Sequence, residues 1–156
     1  MITIEPIGGR SVEEVSLSKA GLARFLNRAR AAVGVDGEVH VLLADDATLR
    51  RLNRTFRGKN NPTDVLSFPA APESEIAGDL AISLETAARQ ARRFGHSLRD
   101  EVRVLLLHGT LHLAGFDHEA DRGEMAAREL ELRRELRLPT SLIARATTKA
   151  RKQVRA

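Results

Sequence analysis

The chain of 156 residues contains no cysteine, tryptophan or tyrosine, and only five phenylalanines. Without cysteine it can form neither a disulfide nor a thiolate metal site, so any metal would need histidine nitrogens, supplemented by carboxylates. The scarcity of aromatic rings leaves no evident platform for stacking nucleic-acid bases, and sequence-specific base recognition is not indicated. The missing cysteines say little about the cellular compartment.

Long hydrophobic runs and a leader segment are also absent from the sequence. No segment approaches 18 uninterrupted apolar residues, so no membrane span is predicted. Residues 1–6 show no basic stretch followed by an apolar one, so no signal peptide is predicted and the cytoplasm is the expected location. A chain of this length is expected to form one domain that buries about two-thirds of its unfolded surface.

The net charge of +4 is distributed unevenly. Residues 141–156 hold five basic and no acidic side chains, whereas residues 1–140 hold 20 basic and 21 acidic ones. We therefore predict a folded domain at 1–140 and a frayed or disordered basic tail at 141–156, whose deletion should leave the domain intact. The tail is either an electrostatic anchor for nucleic acid or a solvated end. Any nucleic-acid affinity of the domain must come from a local patch.

The periodicity of apolar residues predicts an α+β fold, with about four strands in one mixed sheet and about five helices packed on it. The helix near residue 105 is apolar around most of its circumference, so we expect it to be the central, buried helix. The third and fourth strands are expected to be antiparallel because their connection is short. The predicted strands are 1–7, 39–44, 65–68 and 80–82, and the predicted helices are 18–33, 45–56, 83–95, 97–114 and 119–138.

Three of the five histidines lie within eleven residues, as His108, His112 and His118. The first two are four residues apart and would share one face of a helix. Gly115 can end that helix in the left-handed conformation, so that the chain returns His118 as a third ligand. Three neutral nitrogens would bind one Zn²⁺ with its fourth tetrahedral position open, as in catalytic sites.

Two alternative explanations exist for these histidines: they could be packed together in the core, or their spacing on the surface could be due to chance. They interrupt an apolar segment, however, and an unpaired buried polar group costs about 1–3 kcal/mol, which a metal would offset. The other two histidines are not predicted to be ligands. His40 lies within a strand and is expected to be structural, whereas His96 is expected to be solvent-exposed in a loop.

The histidine spacing also occurs in the extended zinc-protease signature H-E-x-x-H-x-x-G-x-x-H, and Gly115 matches its glycine. Gly109 replaces the glutamate that acts as the general base in those proteases. Glycine inside a helix costs about 1 kcal/mol relative to alanine, so a close approach of backbone or substrate is expected at this position. The pattern indicates the metal site of a protease without its base.

Two long segments carry a family resemblance. Residues 108–118, HGTLHLAGFDH, resemble the H-G-x-L-H-L-x-G-[YF]-D-H signature of the bacterial YbeY family. Residues 52–69, LNRTFRGKNNPTDVLSFP, are similar to the family's L-N-x-x-[YF]-R-x-x-x-x-P-T-D-V-L-S-F-P segment. Residues 78–82, GDLAI, add a weaker match. The matches run in family order from about residue 40 to residue 138, after which the chain departs from the family pattern.

The resemblance implies a zinc-hydrolase-like fold and a zinc-dependent, single-strand-specific endoribonuclease that acts in ribosomal RNA maturation and ribosome quality control. It implies that His108, His112 and His118 hold one zinc ion per chain and that Arg57 is a functional arginine. The implied partners are single-stranded or ribosomal RNA and the small ribosomal subunit or its proteins. From its spacing alone, Arg57 would be one surface arginine among many.

Further site residues are weaker candidates. Asp117 is either a partner that orients a ligand histidine or the cap of the next helix. Asp64 and Ser67 are also candidates, and no general base is evident.

Two other functions remain open at this point. One is a non-catalytic ribosome-assembly factor stabilised by zinc, and the other is a metallopeptidase relative, against which Gly109 argues.

Overall fold

The computed structural model describes residues 2–4 and 17–145. Its four strands form one mixed sheet in the order β1-β2-β4-β3, where β1 and β2 as well as β2 and β4 run parallel, and β3 and β4 run antiparallel. This arrangement confirms the predicted α+β class, the single mixed sheet and the antiparallel pair. The strands are β1 (Ile2–Ile4), β2 (Glu38–Ala44), β3 (Val65–Pro69) and β4 (Ile76–Ser83).

Five α-helices of 11 to 16 residues lie between residues 19 and 135, and local signals define their ends. Residues 142–145 are also helical. Ser18, Asp45, Ser83 and Ser97 each accept a hydrogen bond from the third backbone N–H that follows, which is the standard N-cap interaction. The helices are α1 (Lys19–Val33), α2 (Asp46–Arg57), α3 (Leu84–Phe94), α4 (Leu98–Leu113) and α5 (Glu124–Glu135). None of them is long and apolar enough to cross a membrane.

The sheet separates two apolar clusters. Alternate residues of β2 and β4 point to opposite faces: Val41 and Leu80 join the larger cluster with α1, α3 and α4, whereas Ala44 and Ala81 join a smaller one with α2. Helix α4 contacts α1, α3, α5, β3 and β4, so it is the central helix as predicted. Helix α2 therefore lies on the opposite face of the sheet from α4.

The starts of two elements differ from the sequence prediction by four residues or more. Strand β4 begins at Ile76 rather than near residue 80, because its first residues pair with β2 and with the end of β3. The last helix begins at Glu124 rather than at residue 119. Gly123 adopts a φ of 106°, and the Asp121 carboxylate accepts hydrogen bonds from the backbone N–H groups of Gly123 and Met125. A left-handed residue interrupts the helix that the apolar spacing alone predicted.

Residues 141–145 pack against the domain. Ser141 is 3% exposed and Arg145 is 9% exposed. The Arg145 guanidinium donates to both carboxylate oxygens of the fully buried Glu101, at 2.8 and 2.9 Å, and lies 4.2 Å from the centre of the Phe94 ring. Residues 141–145, the first five assigned to the basic tail, thus pack on the folded body. Residues 146–156 lie outside the described residues, so a tail there stays a prediction.

Glu101 also contacts His96, whose Nε2 lies 2.6 Å from the glutamate Oε1. The His96 side chain is 8% exposed. The prediction that His96 is solvent-exposed is therefore wrong. The reason is the buried carboxylate of Glu101, which needs partners in the core and finds them in a loop histidine and a C-terminal arginine.

We predict that the point of truncation decides the stability of the domain. A chain that ends after Arg145 should keep the thermal transition of the full chain. A chain that ends after Thr140 leaves Glu101 buried without its arginine, and removing one partner of a buried ion pair costs roughly 3–5 kcal/mol. Thermal and urea unfolding of the two truncated chains would measure the difference, and equal stabilities would show that residues 141–145 do not support the fold.

Candidate metal centre

The three clustered histidines meet at the C-terminal end of α4. His108 and His112 occupy successive turns of the helix, and His118 lies in the loop that follows. One ring nitrogen of each can be chosen so that all three lie within 4.8 Å of one another. The ring centroids are 4.8 to 5.5 Å apart. The structure thus brings together the three residues that the sequence spacing selected, as a group that could hold one metal ion.

The turn after α4 returns His118 to the helix. Gly115 adopts a φ of 100°, which is the left-handed conformation predicted for it. The backbone N–H of Gly115 donates to the His112 carbonyl, and that of Phe116 donates to the Leu111 carbonyl. Phe116 packs against the larger apolar cluster. These bonds reverse the chain within a few residues, as in a Schellman-type helix end.

Each of the two helical histidines has one nitrogen engaged by an acceptor. His108 Nδ1 lies 2.7 Å from Glu129 Oε2, and His112 Nδ1 lies 2.9 Å from the Phe116 carbonyl oxygen. A backbone carbonyl only accepts hydrogen bonds, so Nδ1 of His112 carries the proton, and a carboxylate partner favours the same tautomer in His108. The Nε2 atom of each ring therefore keeps a free lone pair, which is the arrangement found in histidines that bind metals.

Glu129 is the main supporting residue of this site. Its side chain is 1% exposed, and its second oxygen accepts a hydrogen bond from the Ile143 backbone N–H at 2.8 Å. The glutamate thus joins α5 to α4 and to residues 141–145. Sequence reasoning missed it, although a signal was present: Glu129 follows Met125 by four residues, within the stripe of α5 that is otherwise apolar and buried.

The electrostatics of the cluster favour a neutral ring at His112. Burial lowers the pKa of His112 below its usual range, and the neighbouring His108 lowers it further, which outweighs the hydrogen bond to Phe116. Only the neutral imidazole binds a metal ion. Three neutral nitrogens suit a transition metal, whereas Mg²⁺ and Ca²⁺ prefer oxygen ligands. The donor set thus fits a metal of the kind that histidine-rich sites hold.

The histidines line an open cleft of about 920 Å³, and Arg57 lines the same cleft. Arg57 is the last residue of α2, so it reaches this cleft from the opposite face of the sheet, around the edge strand β3. Arg93 and Arg145 line the cleft as well. The cleft therefore offers nitrogen ligands and cationic side chains side by side, which is a chemistry suited to a phosphate group.

The structure shows the surroundings of the three weaker site candidates, Asp64, Ser67 and Asp117. Asp64 and Ser67 line the cleft. Asp64 accepts hydrogen bonds from the Val65 backbone N–H and from Gln90 Nε2, and the Ser67 hydroxyl donates to the Gly109 carbonyl. Asp117 also lines the cleft, but its side chain accepts from the Glu119 backbone N–H. Asp117 therefore stabilises the turn after α4, while Glu129 and the Phe116 carbonyl contact the helical histidines. The first turn of α5 donates to Asp121 and not to Asp117.

His40 lies outside this group, as expected. It stands on β2, with its ring nitrogens 3.5 Å from Glu38 and 3.7 Å from Asp79. Within the described ranges, the three residues at 108, 112 and 118 form the one histidine and carboxylate group compact enough to hold a metal. His40 is therefore a residue of the sheet surface.

Gly109, the glycine inside α4, is explained by packing. A Cβ atom at Gly109 would lie 2.7 Å from Leu80 Cδ2 and 3.3 Å from Ser67 Oγ. A close approach does occur at this position, but it is made by side chains of β3 and β4 and not by the expected backbone or substrate. Because a side chain at this position would meet Leu80, it could not present a carboxylate to the cleft as the protease glutamate does.

We predict that Glu129→Gln weakens metal binding about 10- to 100-fold, the usual effect of removing a partner that orients a ligand histidine. The amide keeps the shape of the side chain but loses the negative charge that accepts from His108. Glu135→Gln, at an exposed position of the same helix, is the matched control. Competition with a metal chelator would measure both affinities, and equal values would remove Glu129 from the site.

Comparison with known proteins agrees with this geometry. The model of the family described as "Endoribonuclease YbeY" matches residues 11–137. A protein of Koribacter versatilis, described by the same name, is 56% identical over 136 residues, which cover 87% of this chain and 89% of that protein. Its counterpart in Solibacter usitatus is 49% identical over 130 residues, which cover 83% of this chain and 87% of that protein.

A solved structure is similar as well. The solution structure of TM1509 from Thermotoga maritima superimposes with a TM-score of 0.55 and 28% sequence identity, over 87% of this chain and 89% of that one. The likeness in sequence and the likeness in fold each extend over most of the chain. Since the family model spans residues 11–137, which include the clustered histidines of α4, and a relative is 56% identical over most of the chain, the chain belongs to the YbeY family of endoribonucleases.

Proposed function

We propose that this chain is a zinc-dependent endoribonuclease that cuts single-stranded RNA during ribosomal RNA maturation and ribosome quality control. The observation that carries the proposal is the position of Arg57 in the same open cleft as the three histidines. A phosphodiester between them would meet a metal-binding group on one side and a guanidinium on the other. That pairing is the one required to stabilise negative charge on a phosphate in its transition state.

Three groups of residues have different roles in the proposed reaction: they bind the metal, bind the phosphate and orient the histidine rings. His108, His112 and His118 would hold one zinc ion, which supplies Lewis acidity to the reaction when bound. Arg57 would donate two parallel hydrogen bonds to the non-bridging phosphate oxygens, for which the planar guanidinium is suited. Glu129 and the Phe116 carbonyl hold the rings of His108 and His112 in place, so that little reorganisation is needed during the reaction.

The depth of the cleft favours an unpaired strand as the substrate. His118 is exposed, but His108 is only 5% exposed, so a phosphodiester must enter the cleft to lie against all three rings. A single strand can turn its backbone inward and splay its bases, whereas the backbone of a duplex is held by pairing. The proposed partners are accordingly single-stranded ribosomal RNA and the small ribosomal subunit or its proteins, and the proposed location is the cytoplasm.

A metallopeptidase function is disfavoured by the packing at Gly109. The position of the protease's general base faces Leu80 rather than the cleft, so peptide hydrolysis would lack its proton acceptor. A non-catalytic assembly factor would bind RNA or ribosomal protein without turnover. Cleavage of single-stranded RNA that depends on the cleft residues separates that function from the proposed one.

We predict about one zinc ion per purified chain. His112→Ala should lose most of the metal, because two nitrogens bind zinc far more weakly than three, and should lose some stability with it. Elemental analysis and thermal unfolding would measure the two effects. Undiminished zinc in all three single alanine variants, at 108, 112 and 118, would show that the metal is held elsewhere.

We predict that Arg57→Ala keeps the metal and the thermal transition, since the side chain is exposed, but lowers kcat on single-stranded RNA by about 10²–10³-fold. This is the usual effect of losing a donor aimed at transition-state charge. Arg57→Lys, which keeps the charge without the planar fork, should recover part of the rate. Arg24→Ala, at an exposed position of α1, is the control, and wild-type cleavage by Arg57→Ala would exclude Arg57 from the reaction.

A further inference from the structure

Helix α2 carries an arginine stripe that ends in the cleft. Arg50, Arg54 and Arg57 are spaced by four and three residues, so they lie on one side of the helix, and all three are exposed. From Arg50 to Arg57 the stripe extends about 10.5 Å along the helix axis at 1.5 Å per residue. Its last member, Arg57, lines the same cleft as the three clustered histidines. The stripe is therefore a cationic track that leads toward the candidate centre.

The charges of this arginine stripe are not neutralised within the described part of the chain. None of the three guanidinium groups forms an ion pair or a side-chain hydrogen bond there, while other arginines such as Arg89 and Arg145 do. Asp46 is the one acid of α2, and its carboxylate accepts from Ser83, Thr86 and Arg89 instead. Like charges at this spacing destabilise a helix, so an anionic partner would relieve the repulsion.

An exposed aromatic ring adjoins the cleft end of the stripe. Phe56 is 65% exposed, the highest value among the large apolar side chains of the described residues. It packs edge-to-face on Phe68 of β3, with the ring centroids 5.3 Å apart and an interplanar angle of 64°. Phe68 thus supports the ring from one side, and its remaining surface faces solvent. A supported, exposed ring beside cations is the usual arrangement for stacking an unpaired base.

The free edge of the sheet connects these features to the metal centre. β3 is an edge strand, with α2 on one face of the sheet and α4 on the other. Phe68 faces α2, while the adjacent Ser67 and Pro69 line the cleft. A strand that follows the stripe would pass Phe56, turn around β3 beside Arg57 and enter the cleft.

We propose that the outer surface of α2 binds the single-stranded RNA that leads to the scissile phosphate. Arg50 and Arg54 contact phosphates outside the cleft, and Phe56 stacks on a base at its entrance. The occupant is RNA because the surface combines unneutralised cations with a stacking ring and is continuous with a nuclease site. The inference rests on the proposed function and adds where the substrate lies outside the cleft.

The charge component is tested with a matched pair of double variants of the full, zinc-loaded chain. Binding of a fluorescent oligouridine strand is measured by anisotropy over a range of salt concentrations, before detectable cleavage. Arg50→Gln with Arg54→Gln should reduce the slope of log K against log salt by about 1.4, since each phosphate contact on a single strand contributes about 0.7. Arg24→Gln with Arg28→Gln has the same four-residue spacing on α1, which lines no part of the cleft, and should leave the slope unchanged.

The stacking component is tested at Phe56. Phe56→Leu keeps an apolar side chain against Phe68 but removes the ring, and should weaken oligouridine binding about five- to 150-fold with no change in the salt slope. Leu130→Ala removes an exposed apolar side chain from α5 and should have no effect. Zinc content and thermal transitions equal to those of the wild type would show that the variants are folded.

The outcomes separate this inference from the proposed function. If the wild type cleaves RNA but the Arg50 and Arg54 double variant has the wild-type salt slope, the inference is wrong and the function stands. If the wild type binds oligouridine with the expected slopes but does not cleave RNA, the surface is supported and the proposed function is wrong. If the wild type does not bind oligouridine at all, the inference is overturned.

Discussion

The structure depends on one constraint, which is that helix α4 must be buried among the other elements and still present polar ligands at its end. Leu105, Leu106 and Leu111 are fully buried, and the burial of such side chains contributes about 1.5–3 kcal/mol each. This packing leaves α4 little freedom to move. The histidines on its last turns are therefore held by the core itself, and Gly109 is needed because the helix lies so close to β3 and β4.

Two buried glutamates extend this constraint to the rest of the chain. Glu129 joins His108 to the Ile143 backbone, and Glu101 joins His96 to Arg145. A buried carboxylate without partners is costly, so each of these glutamates requires the segment after Thr140 to be in place. Leu142, Ile143 and Arg145 consequently line the cleft, and the Ile143 backbone supports the glutamate that contacts His108 of the candidate site. The candidate site is thus linked to the stability of the whole domain.

Much of the fold and of the site could be predicted from the sequence, because the signals were local. Helix ends followed from Ser18, Ser83 and Ser97, which cap by contacts three residues away. The i, i+4 spacing of His108 and His112 and the left-handed Gly115 are likewise properties of a short segment. The family resemblance in residues 52–69 and 108–118 added Arg57, which no local signal distinguished from other surface arginines.

Only the tertiary structure decided which distant groups meet. Sequence patterning could not place Glu129 beside His108 or Arg145 beside Glu101, since these pairs are 21 and 44 residues apart, and it left His96 and residues 141–145 in solvent. The local pattern likewise could not show that Arg57 passes around the edge of β3 into the cleft, or that Phe56 rests on Phe68. The amino-acid sequence determined the elements and the metal-binding spacing, because both arise within single turns. The buried acids and the cleft arose from packing, because a charged group finds its partner only after the chain has folded around it.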